Sequence, residues 1–279
     1  MSIGPRMSRH HELRPRIISR RNMLVTSAAA AGTVAFGGLA PPAFAEASAS
    51  APSPTIRNRS AWNARPPTST PQTVSGSPTY IVVHHTATEN QTDYSLERAY
   101  SLSRGIQNWH MDNNGWIDAG QQFTISRGGH IMEGRSGSLL AVDGGYHLVG
   151  THVANYNGVA VGIENEGTYN SVSPTDALWS SLIRTCAWLC YFYDRPTSAI
   201  VGHRDLNSTE CPGDQLYSLL PTLRSDVADY LSSNNVSLSA RDLAGPEIPP
   251  YPPVPSGGPS GAHDHGPALG SDDLNAHEG

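Results

Sequence analysis

The run 79–86, TYIVVHHT, limits the fold more than any other stretch of this chain. It is short, β-branched and apolar up to a pair of histidines, the composition of a strand buried inside a sheet. The patterns around it alternate. Residues 94–112 carry apolar side chains at 94, 96, 99, 100, 102, 106 and 109, which is helical spacing. Residues 122–127 and 130–133 flank Gly128-Gly129, a hairpin signal. Residues 160–164 (AVGIE) read as a further strand. Ser173 as N-cap, Pro174 at the first helical position and Asp176 in the first turn predict a helix to about Asp194. Residues 199–202 form a short strand and 212–232 a last helix. The order β α β β β α β α predicts an α/β fold, a mixed central β-sheet flanked by helices.

The two ends differ from this middle. Residues 16–45 have a basic start with Ser19-Arg20-Arg21, an apolar stretch from Met23 to Ala40, and the small-residue site Ala43-Phe44-Ala45. Residues 1–45 thus read as a secretory signal peptide of the twin-arginine type. A membrane anchor is the weaker alternative, because the stretch is rich in Ala and Gly and ends at a cleavage site. Residues 46–56 are an Ala/Ser/Pro-rich linker, 57–234 hold the folded domain, and 57–78 are an ordered lead-in with Arg59 and Trp62. Residues 235–279 are Pro/Gly-rich and then acidic, with almost nothing to form a core, which predicts disorder. No stretch after the signal approaches about 18 consecutive apolar residues, so no membrane span is expected in the mature chain.

Export would remove six of the 18 basic and one of the 24 acidic residues, taking the formal charge from −6 to −11. Such a chain is a poor partner for nucleic acid, whose phosphates need basic residues. The sequence contains no lysine, which excludes any mechanism that needs one. Cys186 and Cys190 lie four apart on a helical pattern, about 5–6 Å between Cβ atoms, where a disulfide holds about 3.8 Å. Buried thiols are favoured over a strained bridge. Cys211 is then the odd cysteine, and a metal ligand is a natural role for it.

His84, His203 and Cys211 make a plausible three-ligand shell for a catalytic zinc, which would point to metal-assisted hydrolysis. His84 and His85 alternate across a strand, so only one can face a given site. His203 ends the 199–202 strand. Cys211 precedes Pro212-Gly213-Asp214 and is expected at the N-cap of the last helix, where free N–H groups would favour its thiolate.

IVVHHTA (81–87), HMDNNGWIDAGQQF (110–123), GGHIMEGR (128–135), GVAVGIENEG (158–167) and GHRDLNSTECPGD (202–214) together resemble the peptidoglycan recognition protein family and its bacterial and phage N-acetylmuramoyl-L-alanine amidases. The resemblance covers roughly residues 57–234. It implies zinc at His84, His203 and Cys211, and hydrolysis of the amide between N-acetylmuramic acid and L-alanine in peptidoglycan. The family's usual catalytic tyrosine is replaced here by Gln121, whose amide has no titratable group. Thr209 stands where phage members carry a lysine. The GIENEG run is similar to one in cytosolic amidases of this fold, which implies Glu164 as the base. The alternative for Glu164, and for Glu166, is a glutamate at a strand end with no catalytic part. Gly115-Trp116 resembles the pair linked to meso-diaminopimelate rather than lysine in the stem peptide. His110 and His152 resemble groove histidines, or are hydrogen-bonded core residues. Arg135 is expected to be structural. A binding module of the same fold that holds muropeptides without cutting them is the second functional reading. A structural zinc site is disfavoured, because no fourth Cys or His lies near the 203–211 pair.

Overall fold

A computed structural model describes residues 53–236 and 238. The expected signal segment, the start of the linker and nearly all of the tail lie outside the described residues.

The folded part is built on a six-stranded sheet. In chain order its strands are β1 (Ile56–Arg57), β3 (Tyr80–His85), β4 (Phe123–Ile125), β5 (Ile131–Glu133), β7 (Ala160–Asn165) and β8 (Ile200–Gly202). A separate antiparallel pair joins β2 (Thr73–Val74) to β6 (His147–Leu148). The six-stranded sheet runs β1-β5-β4-β7-β3-β8 and is mixed: β4 and β5 are antiparallel and the other neighbours parallel. The helices are α1 (Leu96–Asp112), α2 (Ser138–Gly144), α3 (Asp176–Tyr193), α4 (Asp214–Ser218) and α5 (Leu220–Ser233). This is the expected mixed sheet with flanking helices. Among the described residues, no helix is long and apolar enough to cross a membrane.

β3 sits between two parallel neighbours, so both its edges are paired, and all six of its residues are buried, with packing on both faces. Alternation sorts the side chains. Ile81 and Val83, with Val161 and Ile163 of β7, join the main core under α3 and α5. Tyr80 and Val82 join a smaller cluster on the opposite face with Val153, Ala160, Val201 and Leu206. That second cluster is too small to cover its face, and its row of positions continues into His84 on β3 and into Gly162 and Glu164 on β7. The polar site is therefore built where the apolar cover stops.

The β4–β5 turn needs both of its glycines. A Cβ on Gly128 would stand 2.1 Å from the Tyr94 carbonyl oxygen, and one on Gly129 would stand 2.6 Å from that of Ala177.

Three local expectations need correction. The N-cap of α3 is Thr175, not Ser173: the Thr175 hydroxyl accepts from Leu178 N–H at 3.2 Å and donates to the Arg127 carbonyl at 2.5 Å. That tertiary bond moves the helix start two residues on, and Ser173 instead accepts from Gln215 Nε2 at 3.1 Å. The last helix is not continuous from 212. It breaks at Leu219 into α4 and α5, because Pro221 has no N–H to extend α4 and its ring excludes the carbonyl four residues back. Cys211 is not at a helix N-cap. Gly213 holds that position, and Cys211 lies in the turn before it. The strand pair β2–β6 and helix α2 have no periodic signal in the sequence and were not expected. Cys186 and Cys190 are buried thiols in the α3 core with no bridge between them, and burial pushes the Cys190 thiol up to about 12.

Candidate metal centre

His84 closes the interior of β3, His203 opens the one-turn 3-10 segment His203–Asp205 after β8, and Cys211 lies in the loop that returns beneath them. All three are buried, and each offers a ligand atom within 4.8 Å of the other two. The Cys211 Sγ to His84 Nδ1 distance is 3.6 Å. A tetrahedral zinc would hold a thiolate sulfur and an imidazole nitrogen about 3.5 Å apart, given its usual bond lengths. The donor set and its spacing therefore fit zinc, and the trio brings together the three residues singled out from the sequence. What faces the sulfur is not a helix end: the His85 backbone N–H donates to Sγ at 3.4 Å.

His85 points to the other face, as alternation requires, and its Nδ1 accepts from Tyr169 N–H at 3.3 Å. His152 lies beside His84, with Nδ1 at 3.0 Å from His84 Nε2 and the rings edge to face at 5.0 Å. His152 Nε2 is 3.1 Å from the Ala160 carbonyl oxygen. A carbonyl only accepts, so His152 Nε2 carries the proton and its Nδ1 accepts from His84 Nε2–H. This leaves His84 Nδ1, the nitrogen facing Cys211, without a proton. The His152 ring lies directly over Gly162, where a Cβ would come within 2.6 Å of its Nδ1. His152 is thus a buried support for His84 rather than the wall of an open groove.

His203 has a comparable neighbour that the sequence reading passed over. Its Nε2 lies 3.1 Å from Asn207 Oδ1, and Asn207 Nδ2 donates to the Ala154 carbonyl at 3.1 Å.

The register places Glu164 of β7 level with His84 on one side and Thr124 of β4 on the other. Partners in parallel strands share a face, so the buried Glu164 carboxylate is on the His84 side of the sheet. Gln121 is attached to the same row, donating from Nε2 to Thr124 Oγ1 at 2.9 Å. Glu166 has a different place. Its Oε1 accepts from Arg98 Nε and its Oε2 from the Arg127 N–H, both at 2.8 Å, so it ties the end of β7 to α1 and to the hairpin.

The remaining positions have packing roles of their own. His110 Nδ1 accepts from Gly120 N–H at 3.0 Å, and its ring lies 4.5 Å from that of Trp116. Trp116 is buried, and the exposed Gly115 before it has φ +71, a turn that suits glycine. Thr209 Oγ1 accepts from Cys211 N–H at 3.2 Å and so shapes the turn that carries the sulfur. Arg135 is fully buried, and its Nη1 donates to the Ala119 carbonyl and to Thr151 Oγ1. Burial lowers its pKa to about 10 against the pull of Asp118.

Residues 74–214 match the sequence profile of the N-acetylmuramoyl-L-alanine amidases. The human protein named N-acetylmuramoyl-L-alanine amidase is 32% identical over 172 residues, 61% of this chain and 28% of that protein. The chain thus corresponds to little more than a quarter of the human relative's length. Peptidoglycan-recognition protein SC2 of Drosophila simulans is 33% identical over 175 residues, 60% of this chain and 85% of the relative. Among solved structures, a mutant of Drosophila PGRP-LB in complex with tracheal cytotoxin superposes with a TM-score of 0.53 at 28% identity, covering 60% of this chain and 93% of that one. Human PGRP-IBETAC in complex with glycosamyl muramyl pentapeptide gives 0.52 at 26% identity, covering 61% of this chain and 96% of that one.

Proposed function

This chain belongs to the N-acetylmuramoyl-L-alanine amidase family, and on that premise we propose that it is a secreted zinc-dependent amidase. Its substrate is the amide between N-acetylmuramic acid and L-alanine in peptidoglycan or muropeptides. The observation that carries the reading is the buried trio His84, His203 and Cys211, with ligand atoms within 4.8 Å of one another, beside Glu164 in the same register row. Three protein ligands leave a fourth position for chemistry, which a structural site would fill.

Zinc, when bound, polarises the amide carbonyl and makes water a better acid near neutral pH. The chain's own residues then divide the remaining work. Glu164 is the general base: its carboxylate takes the proton of the attacking water and returns it to the leaving nitrogen of L-alanine. Gln121 cannot do this, having no titratable group, and serves to orient the substrate from its bond to Thr124. His152 holds His84 in the tautomer that turns Nδ1 to the metal. Gly115, with nothing within 4 Å of where a side chain would begin, leaves open surface beside Trp116, and the pair supports a meso-diaminopimelate stem. His110 and Thr209 act through the backbone they hold. The twin-arginine type segment in residues 1–45 supports export of the folded protein.

A muropeptide-binding module without catalysis is the second reading, favoured by Gln121 in the place of the family's tyrosine. The two separate in one experiment. Mature protein is assayed for zinc content and for release of stem peptides beginning with L-alanine from diaminopimelate-type walls. Zinc retention with no release sinks the amidase and leaves the binding module. Release by wild type, loss in Glu164→Gln with zinc retained, and loss of zinc in Cys211→Ser are the results expected of the amidase.

A further inference from the structure

We propose that Asn207 is a positioning residue that sets the tautomer of His203 before metal arrives. The Asn207 amide can point only one way. Its Nδ2 lies 3.1 Å from the Ala154 carbonyl and 2.9 Å from the Leu206 carbonyl, both acceptors, so nitrogen must face them and Oδ1 must face His203. Oδ1 is an acceptor at 3.1 Å from His203 Nε2, which therefore carries the proton. The proton on Nε2 leaves His203 Nδ1 as the nitrogen with a lone pair.

Asn207 is buried, and it lies one turn after His203, just beyond the short 3-10 segment His203–Asp205, where the Leu206 and Asn207 N–H groups both donate to the His203 carbonyl. Backbone and side chain thus hold the ring at both ends. The arrangement mirrors the other histidine. His84 is set through His152 by the Ala160 carbonyl, and His203 is set through Asn207 by the Ala154 carbonyl. Both ligand tautomers are written by buried backbone carbonyls that cannot change their hydrogen-bonding sense. A free imidazole divides between two tautomers, and a site that must select one on binding loses affinity. Partners of this kind are commonly worth about 10–100-fold in metal affinity.

The inference rests on the trio being a zinc site, and the test separates the two. Wild type, Asn207→Leu and Asn207→Asp are compared by zinc affinity in chelator competition, and in metal-free form by long-range proton–nitrogen spectra of the imidazoles. Thermal unfolding of each serves as the check on folding. Leucine keeps the size and removes the acceptor; aspartate keeps an acceptor oxygen. Wild type should show His203 protonated on Nε2. Asn207→Leu should show mixed tautomers and zinc bound about 10–100-fold more weakly, and Asn207→Asp, whose second oxygen meets the Ala154 and Leu206 carbonyls without an N–H, should retain the Nε2–H form while recovering only part of the affinity. A wild type that binds no zinc overturns the metal reading and this one with it. A wild type that binds zinc while Asn207→Leu matches it in affinity and tautomer overturns the role of Asn207 alone. So does an Asn207→Asp that folds but shows the same mixed tautomers as leucine.

Discussion

Gly162→Ala tests the geometry around His84 with one methyl group. A Cβ at Gly162 would lie 2.6 Å from His152 Nδ1, 2.7 Å from Cγ and 2.8 Å from Cε1. Non-bonded carbons settle at about 3.5–4.0 Å, so the ring must withdraw by roughly 1 Å. It cannot do so without stretching its bonds at 3.0 Å to His84 and 3.1 Å to the Ala160 carbonyl out of hydrogen-bonding range. Losing a buried bond and leaving its groups unsatisfied costs about 1–3 kcal/mol, and overpacking alone costs about 1–3 kcal/mol. We expect about 3 kcal/mol of destabilisation from these two effects together. We also expect zinc affinity to fall by about 10–100-fold as His84 loses its support. Urea unfolding gives the first quantity and chelator competition the second. Gly105→Ala is the control: Gly105 is in α1 with nothing within 4 Å of its would-be Cβ, so the same substitution should stabilise by up to about 1 kcal/mol. A Gly162→Ala protein with an unchanged unfolding midpoint and unchanged zinc affinity would refute the argument that His152 packs on Gly162 and orients His84.

Glu166→Ala should destabilise by about 2–4 kcal/mol, a little under the usual loss for a broken buried pair because Arg98 is partly exposed, and zinc content should not change. Loss of stem-peptide release by a folded, zinc-loaded Glu166→Ala protein would mean that the two glutamates have been assigned the wrong way round. Thr175→Ala should cost about 1 kcal/mol as a lost cap, whereas Ser173→Ala should stay within about 0.5 kcal/mol; urea midpoints that rank the other way would restore Ser173 as the helix start. The Cys190 thiol ionises near 9 in its ordinary state and near 12 when folded, so the unfolded chain gives up its proton first. Stability should therefore fall as pH rises through that window, by at most about 1.4 kcal/mol per pH unit for this group. Cys190→Ala should show a shallower decline, and an identical slope would remove the thiol as a contributor.

The residues of the proposed centre were legible because each lies in a short segment with a strong local pattern. His84 follows a β-branched run, His203 follows a short apolar strand, and Cys211 adjoins Pro212-Gly213. The β-strand period also put His84 and His85 on opposite faces without any structure. The alternating elements pointed to a mixed sheet, and the double glycine marked its hairpin, where the chain passes too close to Tyr94 and Ala177 for a side chain. These are effects of neighbours within a few residues, and composition and spacing record them.

Tertiary structure decided the rest. Glu164 and Glu166 are indistinguishable in GIENEG. One is placed level with His84 by the register of strands 80 residues apart in sequence, and the other is bound by Arg98 and Arg127. The cap of α3 moved to Thr175 because a carbonyl of the hairpin was there to receive its hydroxyl. The tautomers of His84 and His203 follow from the carbonyls of Ala160 and Ala154, which no local pattern connects to a histidine. Hydrogen bonds between distant segments form only when the packing of both faces of the sheet has brought them together. The sequence determined which atoms could bind a metal, and the packed fold determined how those atoms are turned.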